Sequence, residues 1–249
     1  MSDKDDIREE IWRLMEESGV SRFPKPIAGR IPNFEGSERA AGKLIGLPEF
    51  KSADVVKVNP DSPQAHVRRN VLRGGKLLIM PTPRLRRGFI LVDPREIPRR
   101  SLAKASTIGG AFEYGRLCRI GELPNVDLIV AGSVAVSKDG RRIGKGGGYS
   151  EIEYGILRDL DLIDENTPVF TTVHDLQIID QAPKEKHDFI VDAIITPSEV
   201  IGVKRQCAQP NGVIWERITE RRVKNMPVLQ ELKKFLNTQK SARAVALIV

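Results

Sequence analysis

A run of glycines and cations at residues 139–149, DGRRIGKGGGY, has the composition of an anion-binding loop. Glycine lets the backbone approach a ligand closely or adopt positive φ, and successive N–H groups can then form a concave nest for phosphate. Arg141, Arg142 and Lys145 add positive charge, and an arginine can bind two phosphate oxygens at once. We predict that residues 144–148, called the glycine loop below, bind phosphate. The alternative is a mobile surface turn flanked by solvated cations.

The two commonest phosphate-binding motifs do not fit this loop. A Walker A motif needs four residues between its first glycine and its Gly-Lys-Ser/Thr, but only three separate Gly140 from Gly144. Gly146 also follows Lys145 at the place where that motif has a metal-binding hydroxyl. A dinucleotide-binding GxGxxG pattern that starts at Gly144 fails at Tyr149. The loop must therefore bind phosphate in some other arrangement.

The elements around the loop are those of an α/β protein. VDLIVAGSVAVS (126–137) is the most apolar predicted strand and leads directly into the loop, and a helix is predicted at about 150–160. The free N–H groups of that helix would strengthen an anion site. Further strands are predicted within 53–60, 76–83, 88–94, 168–175, 193–197 and 199–204, and further helices at 3–18, 37–47, 62–74 and 228–236. This alternation predicts a mostly parallel sheet covered by helices on both faces.

Composition narrows the class of protein. The 249 residues carry a net charge of +7, which favours anionic partners such as a nucleotide or RNA. Two distant cysteines, neither in a CxxC pair, predict neither a disulfide framework nor a zinc site. No apolar run reaches the ~18–20 residues that span a bilayer, and the charged N-terminus is unlike a signal peptide. We expect a cytoplasmic protein without a membrane partner.

Two regions are expected along the chain. Residues 1–205 hold the predicted α/β domain, and residues 206–249 form a C-terminal extension that we expect to pack on the same domain. The extension ends in the apolar stretch AVALIV (244–249), for which we expect packing on the body or self-association.

The glycine loop and its flanks, RRIGKGGGYSEIEYG (141–155), resemble the signature of the 5-formyltetrahydrofolate cyclo-ligase (methenyltetrahydrofolate synthetase) family. The residues that match in order are Arg142, Ile143, Gly144, Gly146, Gly147, Gly148 and Tyr149. KDDIREEIW (4–12) is similar to the opening helix of the family, and residues 174–197 are similar to its late segment. Residues 148–157 and the stretch from Pro210 look closer to the branch called methenyltetrahydrofolate synthetase domain-containing proteins.

This resemblance implies a fold and a reaction. The fold would be a three-layer α/β/α sandwich like that of the NagB/RpiA/CoA-transferase group. The reaction would be the ATP- and Mg²⁺-dependent conversion of 5-formyltetrahydrofolate to 5,10-methenyltetrahydrofolate in one-carbon metabolism. The formyl oxygen attacks the γ-phosphate of ATP, and N10 then closes the ring as phosphate leaves. The implied partners are ATP and a folate-like small molecule.

The resemblance also implies roles for individual residues. Arg142 and Lys145 would be catalytic by stabilising phosphate charge, and Glu151, where the family has Asp, would hold Mg²⁺. The implied nucleotide-binding residues are Lys4, Arg8, Gly144, Gly146, Gly147, Gly148 and Tyr149. Ser150 and Ile152 replace a Tyr and an Arg of the family pattern. The nucleotide part of the motif is thus kept, whereas the folate part departs from it.

A second hypothesis is a nucleotide- or RNA-binding protein that keeps the fold without cyclo-ligase activity. Basic segments at 84–88, 98–100 and 220–225 are compatible with it. Stacking aromatics are scarce at 5% of residues, and no RNP1 or KH pattern is present, so RNA is the less favoured partner. Of the histidines, His174 at a predicted strand end is a candidate for lying near a ligand, and His187 is expected to be solvated or locally hydrogen-bonded.

Overall fold

The computed structural model describes residues 3–246, with side chains described through residue 239. The strands are β1 Ser21–Arg22, β2 Asn33–Phe34, β3 Val55–Val58, β4 Leu77–Pro81, β5 Phe89–Val92, β6 Arg116–Cys118, β7 Leu128–Ala131, β8 Ala135–Ser137, β9 Arg142–Ile143, β10 Val169–Thr172, β11 Ile178–Ile179, β12 Ala193–Ile195 and β13 Val200–Gly202. The helices are α1 Lys4–Glu17, α2 Ser37–Leu44, α3 Pro48–Ser52, α4 Ala65–Arg73, α5 Leu102–Ala105, α6 Ile108–Tyr114, α7 Tyr149–Asp159, α8 Glu220–Asn225 and α9 Pro227–Ala246.

An eight-stranded sheet in the order β13-β12-β10-β7-β3-β4-β5-β6 forms the centre of the fold. The five strands from β12 to β4 run parallel, and β13, β5 and β6 pair antiparallel at the two ends. The parallel strands are buried on both faces, which explains their continuous apolar runs. The mostly parallel sheet predicted from the sequence is therefore confirmed.

Each face of this sheet carries its own apolar core. Successive residues of β7 alternate between the two cores, with Leu128 and Val130 in one and Ile129 and Ala131 in the other. Helices α1 to α6 contribute to the first core, and α7 and α9 contribute to the second. Helices on both sides of one sheet give three layers, so the predicted α/β/α sandwich is also confirmed.

The predicted single strand at 126–137 is wrong, because the chain leaves the main sheet after Ala131. The next residues form β8, which belongs to a separate three-stranded sheet in the order β11-β8-β9. A Cβ on Gly132 would lie 2.9 Å from Gln64 Oε1 and 3.0 Å from Ile31 Cγ2, so a larger residue would have to displace these buried side chains. Gln177 Nε2 donates to the buried carbonyl oxygens of Ser133 and Val134 at 2.9 and 3.0 Å. This buried amide satisfies the backbone where the sheet ladder stops.

The glycine loop therefore follows a hairpin rather than the central strand. β8 and β9 pair antiparallel, and Arg142 lies on β9, opposite Val136. The helix predicted at 150–160 is present as α7 but begins one residue earlier, at Tyr149.

Other boundaries differ more. The helix predicted at 37–47 ends at Leu44, β6 was not predicted, and the tail forms two helices, α8 and α9, rather than one.

The C-terminal extension contacts the same core as α7. Met226, Leu229 and Leu232 are buried in the second core, where the sheet and α7 also contribute. The division of the chain at residue 205 stays a prediction. Side chains of the AVALIV stretch, and residues 247–249 entirely, lie outside the described residues. Across residues 3–246, the helices are all too short or too polar to cross a bilayer.

Candidate functional site

A cleft of about 290 Å³ opens beside the glycine loop, a size near the lower end for small-molecule sites. Its walls come from α1, the loop, the first turn of α7, the segment around residues 185–188 and the C-terminal extension. The cleft brings together the ten residues to which the family resemblance assigned a role, although these lie far apart in the chain, whereas Arg141 does not line it and pairs with Asp139 instead. The ten residues are Lys4, Arg8, Arg142, Gly144, Lys145, Gly146, Gly147, Gly148, Tyr149 and Glu151.

The loop reaches α7 through two residues with left-handed backbone. Gly146 has φ +89° and Gly148, the N-cap of α7, has φ +63°. A residue with a side chain is strained at such angles, so glycine is required for this path. The first four residues of α7 border the cleft, and their N–H groups belong to the positive end of an eleven-residue helix. The loop and helix start together therefore form an anion-binding geometry.

Helix α1 brings two predicted cations to the cleft. Asp3 is the N-cap of the helix and its side chain takes part in a capping box, and the helix buries Ile7, Ile11 and Met15 in the first core. Lys4 Nζ lies 2.5 Å from Asp188 Oδ2, and Arg8 Nε donates to the carbonyl oxygen of Gly144 at 2.7 Å. The helical spacing of four residues puts both cations on the cleft side.

Arg142 is the most deeply buried of the predicted catalytic residues, with 1% of its side chain exposed. Its Nη1 lies 2.5 Å from Glu151 Oε1, and its Nη2 donates to the Gly132 carbonyl at 3.1 Å. The guanidinium also lies 4.5 Å from the ring centroid of Phe189, and its Nε has no hydrogen-bond partner among the described residues. Three contacts thus fix Arg142 at the base of the cleft.

The Arg142–Glu151 pair sets the charge of the carboxylate. Burial raises the pKa of Glu151, but the adjacent Arg142 guanidinium and hydrogen bonds to the carboxylate together outweigh it and bring that pKa below its ordinary value. Glu151 is therefore ionised at neutral pH and carries the negative charge that a metal ligand needs.

Lys145 contacts an acid that the sequence analysis did not identify. Its Nζ lies 2.6 Å from Asp61 Oδ1, and 39% of the lysine side chain is exposed. Asp61 lies just after β3, at the edge where parallel strands end and sites commonly form. The position of Asp61 after a predicted strand could be seen in the sequence, but its ion pair with Lys145 could not.

A buried polar network lies beneath the loop and was also missed. Lys57 Nζ lies 2.5 Å from Glu153 Oε2, and Asn59 Nδ2 donates to Glu153 Oε2 at 3.2 Å and to Ser150 Oγ at 2.9 Å. Burial raises the pKa of Glu153, and the nearby Lys57 only partly offsets this. The signal was Lys57 itself, a charge inside the apolar strand VVKV, because a buried charge needs a partner.

The structure places His187, rather than His174, at the cleft. His187 lines the cleft, with its Nε2 3.6 Å from Asp188 Oδ1. His174 is not among the residues that line it. It instead packs edge-on against Phe34 with ring centroids 6.0 Å apart, and its Nδ1 accepts from the N–H of Leu176.

The residues present fit a magnesium ion that enters with a nucleotide. Within the part of the chain that the structure describes, no group of three or more His, Cys, Asp or Glu side chains is arranged to hold a metal alone. Mg²⁺ bound with a nucleotide needs only one or two protein carboxylates, since phosphates and water supply the other oxygens. Glu151 and Asp61 both line the cleft and meet that requirement.

The structure is that of an α/β protein with an anion-binding geometry at its cleft, and comparison of the sequence with known families makes the class specific. Residues 1–197 match the model of the 5-formyltetrahydrofolate cyclo-ligase family. The chain belongs to this family.

Its relatives include the methenyltetrahydrofolate synthase domain-containing proteins of Bos taurus and Homo sapiens. The chain is 42% and 40% identical to them over 234 residues, which is 92% of this chain in both cases. The matched region is 62% and 61% of the relatives' own length, so the chain spans less than two thirds of these proteins.

A solved structure confirms the fold. The NMR structure of Aquifex aeolicus 5,10-methenyltetrahydrofolate synthetase superposes with a TM-score of 0.51 at 21% identity. The superposition covers 82% of this chain and 94% of the other.

Proposed function

We propose that this chain catalyses the ATP- and Mg²⁺-dependent conversion of 5-formyltetrahydrofolate to 5,10-methenyltetrahydrofolate. The observation that carries the proposal is the convergence of the ten motif residues on one cleft, in a chain of the cyclo-ligase family. Of those residues, Arg142 and Lys145 are proposed to be catalytic, Lys4, Arg8, the loop glycines and Tyr149 to bind the nucleotide, and Glu151 to hold the metal. A cytoplasmic location stays a prediction.

The charge pattern of the cleft supports a metal-bound triphosphate as one ligand. Three of the predicted cations pair with acids that also line the cleft: Lys4 with Asp188, Arg142 with Glu151 and Lys145 with Asp61. A phosphate chain offers these cations new acceptors, and the released carboxylates are then available to a cation that arrives with it. A metal-bound triphosphate brings phosphate oxygens for the cationic side chains and a metal ion for the carboxylates, so neither set of side chains is left unpaired.

The protein's part in the proposed reaction is positioning and charge stabilisation. The formyl oxygen forms a bond to the γ-phosphorus as the bond to ADP breaks, and N10 then attacks the formyl carbon as inorganic phosphate leaves. Arg142 and Lys145 would stabilise the negative charge that moves onto the phosphate oxygens. Mg²⁺, when bound, neutralises phosphate charge and orients the triphosphate. Glu151 and Asp61, which both line the cleft, would hold it.

A spectroscopic assay tests this proposal. Wild-type protein mixed with MgATP and 5-formyltetrahydrofolate should produce the absorbance band of the methenyl product, and chelation of Mg²⁺ should abolish the signal. Lys145→Ala should lower the rate about a hundredfold or more, because it removes a charge from the phosphate site. Lys145 is the best test residue, since its partial exposure makes a folding defect in the variant less of a concern than at Arg142.

The matched control is Lys138→Ala, which removes an exposed lysine a few residues upstream. It should leave the rate unchanged, because surface substitutions of this kind have small effects. Tight binding of MgATP without any methenyl product would contradict the proposed reaction.

A further inference from the structure

We propose that Arg222, on α8 of the C-terminal extension, is a positioning residue of the site that holds the glycine loop in its phosphate-receiving conformation. Arg222 lies beyond residues 1–197, the part of the chain that matches the family model. The inference rests on the proposed nucleotide site, and it adds a residue and an element that the family motif does not contain.

Three contacts join Arg222 to the loop. Its Nη2 donates to the carbonyl oxygen of Gly147, and its guanidinium lies 5.3 Å from the ring centroid of Tyr149. A Cβ built on Gly148 would lie 3.4 Å from Arg222 Nη1, so the guanidinium lies directly over the backbone there. One side chain thus contacts the glycine loop at residues 147 and 148 and the first residue of α7, Tyr149.

The segment that carries Arg222 is anchored on both sides. Upstream, the N–H of Val213 donates to Asp159 Oδ2, at the last residue of α7, at 3.1 Å. Downstream, Met226 is buried in the second core. Between them, Thr219 caps α8 by accepting from the N–H of Arg222 itself. The arginine is therefore held at a fixed place relative to α7.

The contacts solve two problems of a loop with three consecutive glycines. Such a loop is conformationally free, and ordering it on binding would reduce affinity. The contacts of Arg222 order the loop before a ligand binds, which lowers this cost. It also binds the Gly147 carbonyl oxygen, which carries negative charge and would repel phosphate if it faced the ligand.

The experiment compares Arg222→Ala and Arg222→Lys with Arg221→Ala, which removes an exposed arginine from the same helix. Calorimetry gives the Kd for MgATP, and hydrogen exchange of residues 144–149 reports on the ligand-free loop. Arg222→Ala should weaken MgATP binding about tenfold, the usual effect of a lost charged hydrogen bond, and should speed exchange in the loop. Arg222→Lys should restore part of both, since lysine keeps the charge but not the planar contact with Tyr149.

The thermal unfolding midpoint of Arg222→Ala should match that of Arg221→Ala, which separates positioning from general stability. The inference is overturned if Arg222→Ala and Arg221→Ala have equal MgATP affinity, if their loops exchange at equal rates, or if the wild type does not bind MgATP. A wild type that binds MgATP, responds to Arg222→Ala and forms no methenyl product overturns the proposed reaction and supports the inference.

Discussion

At the scale of single residues, the unusual feature is an ion pair buried between the central sheet and α7. The side chains of Lys57 and Glu153 are 2% and 5% exposed, and their charged atoms lie 2.5 Å apart. Burying two charges costs much of what their attraction returns, so such a pair is not in itself a source of stability. Through Asn59 the pair is connected to Ser150 in the first turn of α7. Ser150, which replaces a Tyr of the family pattern, thus serves the network beneath the loop.

We expect Lys57→Met to lower the free energy of unfolding by roughly 3–5 kcal/mol, because Glu153 would lose its partner and would either carry an unpaired buried charge or take up a proton. Urea unfolding followed by circular dichroism measures the change. The double variant Lys57→Met/Glu153→Leu should recover most of the loss, since neither buried charge remains. Lys51→Met, at an exposed lysine, serves as the control. Equal stability of Lys57→Met and wild type would contradict this account of the pair.

At the scale of elements, the site depends on how the loop enters α7. The chain turns twice through left-handed backbone, at Gly146 and Gly148, before the helix starts. A Cβ on Gly146 would meet the Arg8 guanidinium at no less than 3.5 Å, an ordinary contact. Space therefore permits a side chain at this position, and the backbone angle is what excludes it.

Gly146→Ala should lower the free energy of unfolding by about 1–2 kcal/mol, the cost of left-handed backbone for a residue with a Cβ. Gly75→Ala is the matched control, because Gly75 has φ +75° and nothing within 4 Å of a Cβ. The two variants should lose similar stability in urea unfolding, but only Gly146→Ala should weaken MgATP binding by calorimetry. Equal MgATP affinity of the two variants would show that the loop geometry is not needed for binding.

The sequence predicts those features of the site that are determined by residues close together in the chain. The spacing of Lys4 and Arg8, the glycines and the start of α7 are local patterns, and the structure places all of them at one cleft. Asp188 lies within the segment 174–197 that resembles the family, but its pairing with Lys4 is a tertiary contact that the sequence pattern does not contain. The contact of Arg222 with the loop is likewise made only across the chain. The predicted single strand at residues 126–137 is wrong for a similar reason. Gln177, which satisfies the backbone after the chain leaves the sheet, lies 44 and 43 residues beyond Ser133 and Val134, whose carbonyl oxygens it binds.

At the scale of the whole molecule, the two faces of the sheet pack against different elements, and the elements on both faces bring residues to the cleft. The first core is built with α1, whose outer side brings Lys4 and Arg8 to the cleft. The second core joins α7 to the C-terminal extension, which supplies Arg217, Ile218 and Arg222 to the same cleft. The cleft thus collects residues from both ends of the chain, and the extension is expected to unfold together with the rest.

The two tryptophans allow a test of that cooperativity, because Trp12 is on α1 and Trp215 is in the extension. In a Trp12→Phe background, the urea transition of Trp215 fluorescence should coincide with that of circular dichroism, as it does for one cooperative unit. Leu232→Ala, at a fully buried leucine of α9, should then lower the whole transition by about 2–5 kcal/mol. Lys234→Ala, at an exposed position two residues on, should change stability by no more than about 0.5 kcal/mol. If Trp215 fluorescence instead shows an earlier transition, and Leu232→Ala shifts only that transition, the extension is a separate folding unit. Its contribution to the cleft must then be lost before the sheet unfolds.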